Sequence, residues 1–124
     1  MLNVKDIVFD RGENGQLIAQ EVELDAIEGK PTVKVVPLTR GKLQEIYAKA
    51  NGSVDDKIDA DNMAIQFGLV EPKLTEEQIR DLKPTYAAAI TTAIMSASLG
   101  VTQKEVENQA KVFLEKEESN LKKN

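Results

Sequence analysis

Apolar and acidic residues alternate in the N-terminal third of the chain. Between Leu17 and Ile27 the period is two, which is typical of a strand with one buried face. A second run, Thr32–Val36, is rich in β-branched residues, and Gly29 between the two runs is free to adopt a positive φ. The pattern predicts a β-hairpin that ends at Pro37. Residues 1–15 fit either a flexible leader or a first edge strand.

Apolar residues recur every three or four positions after the hairpin. This spacing predicts a helix over Arg40–Ala50, with Thr39 as its N-cap and Asn51–Gly52 as a left-handed stop. The acidic residues 53–61 are predicted to be partly loop. Asp59 is then the expected N-cap of a short helix that ends near Gly68.

Capping signals divide the rest of the chain into three helices. Thr75 and Gln78 have capping-box spacing and open a short helix, and Pro84 opens a longer one that stops at Gly100. A second capping box at Thr102–Glu105 starts the last helix. The apolar side of that helix carries Val106, Ala110, Phe113, Leu114 and Leu121.

These elements predict an α+β fold in which an N-terminal β-hairpin, or three strands, packs on four to five helices. A lone hairpin is marginally stable in water, so we expect one domain over residues 1–124. It divides into a hairpin region (1–37), a helical core (38–102), and a C-terminal amphipathic helix with its tail (103–124).

Composition excludes several kinds of chemistry. The chain has no Cys and no His, which excludes disulfides, thiolate nucleophiles, His relays and zinc sites built on these residues. Lys and Arg number 16 against 21 Asp and Glu, and this net charge of −5 repels nucleic acid. Charges interrupt the N-terminal apolar run, so we expect no signal peptide or membrane anchor and a cytoplasmic location. We predict no catalytic residue and no cofactor.

Residues 84–103 carry no charge. The segment is as long as a membrane span, but its Thr and Ser residues make it too polar for one. It is expected to be a helix buried on most sides, or one whose small-residue face contacts another chain. That face comprises Ala87, Ala88, Thr91 and Ser98. We predict partner contacts in this helix and the last one, at Tyr86, Ile90, Ile94, Met95, Val106, Ala110, Phe113, Leu114 and Leu121.

An acidic patch comprises Asp55, Asp56, Asp59 and Asp61. Its Asp-x-Asp spacing lacks the glycine and the later bidentate Glu of an EF-hand loop. Solvated helix caps are therefore expected in preference to a divalent-cation site, and we predict no metal.

Two segments, VKVVPLTRGKLQEI and GLVEPKLTEEQIRDLKPTYAAAITTAIMSAS, resemble parts of the tail assembly chaperones of long-tailed phages and proviruses. The first, VKVVPLTRGKLQEI, is similar to the family's strand followed by a Pro-Leu-Thr-x-Gly-x-Leu helix start. The second, GLVEPKLTEEQIRDLKPTYAAAITTAIMSAS, is similar to its hydrophobic-x-Pro-x-Leu-Thr motif before a helix pair. The resemblance covers Glu21 to Leu99. The uncharged helix matches no required feature of the family.

The resemblance implies a non-enzymatic protein of the host-cell cytoplasm. Such a protein binds the long helical tape-measure protein, keeps it soluble and helps to recruit tail-tube subunits, and is often also made in a longer, frameshifted form. We expect a monomer or weak homo-oligomer. The alternatives are a structural virion component, such as a connector or tube-associated ring protein, and a small metal-dependent enzyme that uses the acidic patch.

Overall fold

Residues 1–109, which the computed structural model describes, form three short strands and six helices. The α+β fold class predicted from the sequence is confirmed. In chain order the elements are α1 Val4–Ile7, β1 Gln20–Glu23, β2 Thr32–Val35, α2 Arg40–Ala50, α3 Val54–Gly68, β3 Leu69–Glu71, α4 Glu76–Arg80, α5 Pro84–Leu99 and α6, described over Gln103–Gln109.

The three strands form one antiparallel sheet in the order β1-β2-β3. The predicted hairpin is β1–β2, with Val22 opposite Val33, and Gly29 in its turn has a φ of 82°. The third strand is β3, which follows α3 and places Leu69 opposite Val35. It does not come from residues 1–15, which contain α1 and Arg11, whose isolated bridge is to Leu17.

Local capping chemistry sets most helix boundaries. The Thr39 hydroxyl accepts from the Lys42 N–H at 3.2 Å, and Thr75 and Gln78 form the predicted capping box. Pro84 occupies the first turn of α5, and Gly100 ends it in the left-handed conformation. These predictions are confirmed, because each depends only on neighbouring backbone groups.

One boundary prediction and one prediction of cap conformation are wrong. Helix α3 begins at Val54, because Ser53 and Asp56 form a capping box at its start, and Asp59 lies inside the helix. Asn51 ends α2 with a φ of −86°, so this stop is not left-handed.

One face of α5 packs against the inner face of the sheet and against α3. Ile94 and Val35 are 0% exposed and lie at the centre of the core. Helix α5 is therefore fully buried along one side and at least half-buried all round over residues 89–98. The other buried core residues are Leu24, Ile27, Val33, Leu38, Ala64, Ile65, Leu69, Ile79, Ala89, Ile90 and Ala93.

Gly68 marks a close approach between α3 and α5. A Cβ at this position would lie 2.6 Å from Ile94 Cγ2 and 2.8 Å from its Cδ1. The Gly68 carbonyl also accepts from the Val36 N–H at 2.8 Å, which extends the β2–β3 ladder. Gly68 therefore joins two helices and the sheet at one point.

Ser98 connects α5 to the segment that follows β2. Its hydroxyl accepts from the Leu38 N–H at 2.7 Å and donates to the Ile94 carbonyl, also at 2.7 Å. The Leu38 side chain is buried, so this amide has lost much of its access to water. A polar residue in the uncharged helix thus has a structural role.

We expect Gly68→Ala to lower the free energy of unfolding by about 1–3 kcal/mol, because the added methyl overlaps Ile94 in a closed core. Gly41→Ala is the matched control. Among the described residues its Cβ would meet only Thr39 Oγ1, at 3.8 Å, so stability should stay the same or rise slightly. Urea unfolding monitored by circular dichroism measures both. Equal midpoints for the two variants would contradict the close approach.

We expect Ser98→Ala to lower the free energy of unfolding by about 1–2 kcal/mol, because the Leu38 N–H loses its acceptor. Thr85→Ala, on the exposed first turn of the same helix, should change it by less than about 0.5 kcal/mol. The same urea titration applies. A Ser98→Ala variant as stable as the parent would show that water or another acceptor satisfies the amide.

Candidate partner-binding surfaces

The two proline motifs occupy equivalent structural positions. In each, a strand of the β2–β3 pair leads through proline to an inward-facing leucine, Leu38 or Leu74, and then to a threonine N-cap. Because β2 and β3 are antiparallel, the capped helices α2 and α4 leave from opposite ends of the pair. The motifs therefore anchor helices to the sheet.

The predicted partner-binding residues of α5 do not form one surface. Ile90 and Ile94 lie in the core and are not accessible in this structure. Tyr86 is 38% exposed but lies on the same side of the helix, near its start. Met95 is half-buried on the other side and also touches the core.

The predicted small-residue face of α5 is also divided. Ser98 is committed to Leu38, and Ala87 packs against the core. The side of α5 opposite the fully buried Ile90 and Ala93 is instead an uncharged stripe at three- and four-residue spacing. We name this stripe the α5 outer face: Ala88, Thr92, Met95 and Leu99. Leu99 is its most prominent apolar member, with 49% of its surface exposed.

Helix α6 is fixed to the edge strand of the sheet by one side chain. The Gln103 amide donates to the Glu23 carbonyl at 2.6 Å and accepts from the Asp25 N–H at 3.2 Å. Val106, one turn later, is half-buried. The other residues predicted on this helix, Ala110, Phe113, Leu114 and Leu121, lie outside the described residues.

No single helix within residues 1–109 is both long enough and apolar enough to cross a membrane. Helices α5 and α6 meet that test only as a pair, which is bent by 102°.

A groove lies between the N-terminal segment and the start of α2. Ile7, Val8 and Phe9 form one wall and residues 39–41 form the other, and the space measures about 670 Å³. Lys5, Arg11 and Arg40 line it together with one acid, Asp10. None of these three cations has a salt bridge within residues 1–109. We name this apolar cleft with a basic rim the N-terminal groove.

A second exposed apolar patch lies where α2 and α3 connect. Val54 and Ile58 are four residues apart on one side of α3 and are 73% and 52% exposed, and Tyr47 on α2 is exposed as well. Asp55 and Asp61 on α3 are also exposed. We name this acidic, apolar surface the α2–α3 tip. The sequence prediction missed it because residues 53–61 were expected to be partly loop.

The acidic patch predicted from the sequence is divided between this tip and a set of ion pairs. Lys49 Nζ lies 3.0 Å from Asp56 Oδ1 and 4.0 Å from Asp59 Oδ2, and Arg80 lies 3.9 Å from Asp59. The side-chain hydrogen bond between Lys49 and Asp56 is the largest cause that raises the pKa of Lys49, followed by charge attraction to Asp56. The same bond is the largest cause that lowers the pKa of Asp56. In the described part of the chain, no three acidic side chains converge to hold a metal ion.

Comparisons with protein-family models, with curated proteins and with solved structures find no match for this chain.

The Lys49–Asp56 pair predicts a pH window for its contribution to stability. The folded-state pKa of Asp56 lies below the ordinary 3.8, so the contribution is present above that value and is lost as the pH falls through the folded pKa. The pKa of Lys49 lies above the ordinary 10.5, so the contribution is also lost as the pH rises through that raised pKa. Asp56→Asn should therefore lower the urea midpoint most between pH ~5 and ~9.

Asp55→Asn is the matched control, because Asp55 lies in the same helical turn and has no salt bridge within the described residues. Its effect should be smaller than that of Asp56→Asn. An Asp56→Asn deficit that persists undiminished at pH ~2 would contradict the assignment.

Proposed function

We propose that this chain is a tail assembly chaperone that binds the tape-measure protein of a long-tailed phage or provirus and keeps it soluble. The observation that carries the proposal is the order of the two proline motifs, Pro37-Leu38-Thr39 and Val70-Glu71-Pro72-Lys73-Leu74-Thr75. Recruitment of tail-tube subunits and action in the host-cell cytoplasm belong to the same proposal.

The structural position of the motifs supports this proposal. Each motif ends a paired strand, places a leucine towards the core and caps a helix. Folding therefore requires the proline, leucine and threonine of each motif together. The motifs thus define the scaffold, and client binding belongs to surfaces that the scaffold displays.

The α5 outer face is the proposed client-binding surface. Its uncharged stripe suits an apolar helix of a client, because small side chains such as Ala88 and Thr92 let the two backbones approach closely. The residues of the last helix that are predicted to contact the client belong to the same proposal: Val106, Ala110, Phe113, Leu114 and Leu121. The net charge of −5 favours solubility of a complex that contains an apolar client.

A structural virion component is the second candidate function. The uncharged α5 outer face favours it, because the same stripe suits ring contacts between copies as well as a client. Light scattering of the purified chain separates the two. A stable ring persists without a partner, whereas a chaperone is a monomer or weak oligomer that acts when its client is present.

We expect co-expression with a tape-measure protein from the same genome to raise the soluble yield of that protein severalfold. Leu99→Ser should reduce this gain and weaken co-purification, because it places a polar group at the most exposed large apolar residue of the α5 outer face. Soluble yield after centrifugation and affinity co-purification are the measurements.

Val54→Ser is the matched control, since Val54 is exposed on α3, outside the α5 outer face. It should leave the client's soluble yield unchanged. A tape-measure protein that neither becomes more soluble nor co-purifies with the unmodified chain would refute the proposed function. Equal losses for Leu99→Ser and Val54→Ser would refute the assignment of the binding face.

A further inference from the structure

We propose that residues 112–118 of this chain dock into the N-terminal groove of the same molecule. The contact covers the apolar wall of the groove and places the carboxylates of the segment beside its basic rim. It lies within one molecule and needs no client, so it goes beyond the proposed function.

The apolar wall of the N-terminal groove is a surface that another segment can cover. Ile7, Val8 and Phe9 follow one another in the chain and line the groove. Ile7 and Val8 each have more than half of their surface exposed, and Phe9 is exposed as well. Three consecutive large apolar side chains at the surface of a small domain indicate a contact site. An apolar segment that covers them removes that area from water.

The rim of the groove favours a segment that also carries negative charge. Lys5, Arg11 and Arg40 line it against one acid, Asp10, in a chain whose net charge is −5. The Arg11 guanidinium donates to the Gly15 carbonyl at 2.8 Å, a contact that leaves its positive charge uncompensated. The first turn of α2 carries no acidic residue, so the positive end of its dipole adds to the field of the cations.

Residues 112–118 have the chemistry that the groove favours. They lie outside the described residues, and their sequence is VFLEKEE. Three consecutive apolar side chains come directly before three glutamates and one lysine. These glutamates are all the acidic residues that follow Gln109 in the sequence. Apolar contact and charge attraction therefore favour the same pairing.

The chain is long enough for the segment to reach the groove of its own molecule. Gln103 fixes the start of α6 to Glu23, at one end of the edge strand β1. Gln20, at the other end of β1, lines a cleft together with Phe9, which also lines the groove. The two ends of β1 are about 10 Å apart. From Gln103, α6 and an extended stretch over residues 110–113 reach up to about 22 Å.

Attachment to the same molecule favours a contact that is weak between separate molecules. A short connection gives the segment a high effective concentration at the groove. Docking should therefore be independent of protein concentration. Phe113 and Leu114 are also proposed client contacts, so a client competes with the groove for them. This consequence alone rests on the proposed function.

A tryptophan at position 113 tests the docking in the full chain. The chain has no Trp, so Phe113→Trp introduces a single fluorophore and keeps a large apolar side chain. Its emission should be blue-shifted relative to a synthetic peptide of residues 110–121 that carries the same substitution. The shift should be the same at every protein concentration at which sedimentation velocity shows a monomer.

Two groove variants in the Phe113→Trp background locate the fluorophore. Arg40→Glu makes the groove less basic and should lower the ratio of docked to undocked molecules roughly tenfold. Val8→Ser removes part of the apolar wall and should also return the emission towards that of the peptide. Lys57→Glu is the matched control, because it makes the same charge change at an exposed position of α3 outside the groove. It should leave the emission unchanged.

A charge exchange provides the discriminating result. Glu115→Lys should weaken docking when it is introduced alone, because it reduces the negative charge of the segment. Combined with Arg40→Glu it should restore part of the blue shift, since the two altered side chains are again opposite in charge. Urea midpoints close to that of the parent establish that each variant is folded.

An emission maximum equal to that of the peptide would overturn the proposal. So would a blue shift that Arg40→Glu and Val8→Ser leave unchanged, or a charge exchange that restores nothing. A shift that appears only where copies associate would assign the contact to separate molecules and would also overturn it. None of these measurements contains a client, so failure of docking is distinguishable from failure of the proposed function.

Discussion

The contact between Gly68 and Ile94 sets the distance between α3 and α5, and with it the position of the sheet. Gly68 is the last residue of α3 and directly precedes β3, while its carbonyl holds the Val36 N–H beside the end of β2. A side chain at this position would push α3 away from the buried Ile94 and separate β3 from β2. The packing of α3 on α5 and the pairing of β3 with β2 thus depend on one residue without a side chain.

The parts of the fold that the sequence predicts correctly are those governed by neighbouring residues. The limits of α2, the capping box at Thr75, the start of α5 at Pro84 and its stop at Gly100 follow from caps and turn formers within a few positions. Strand β3 is different, because three residues gain strand geometry only by pairing with a strand more than 30 positions earlier. The start of α3 also follows from neighbouring residues, Ser53 and Asp56, but the density of acidic residues after it is equally typical of a loop.

The candidate surfaces were less predictable than the fold. Sequence reasoning identified α5 as a helix with more apolar surface than an ordinary amphipathic one, and the structure assigns Ile90 and Ile94 to the core. Periodicity does not determine which side of a uniformly uncharged helix faces inward, because no polar side marks the exterior. The N-terminal groove combines residues 5–11 with the start of α2, and only the tertiary fold brings these segments together.

The proposed client contact and the core use opposite sides of the same helix. Ile90 and Ile94 hold α5 against the rest of the core, while Leu99 on the α5 outer face stays half exposed. Client binding at that face would therefore leave the contacts of Ile90 and Ile94 in place. The stripe offers few large apolar side chains, so a contact with one copy would be weak. A weak contact is easy to break, which is the property required of a protein that must release its client during assembly.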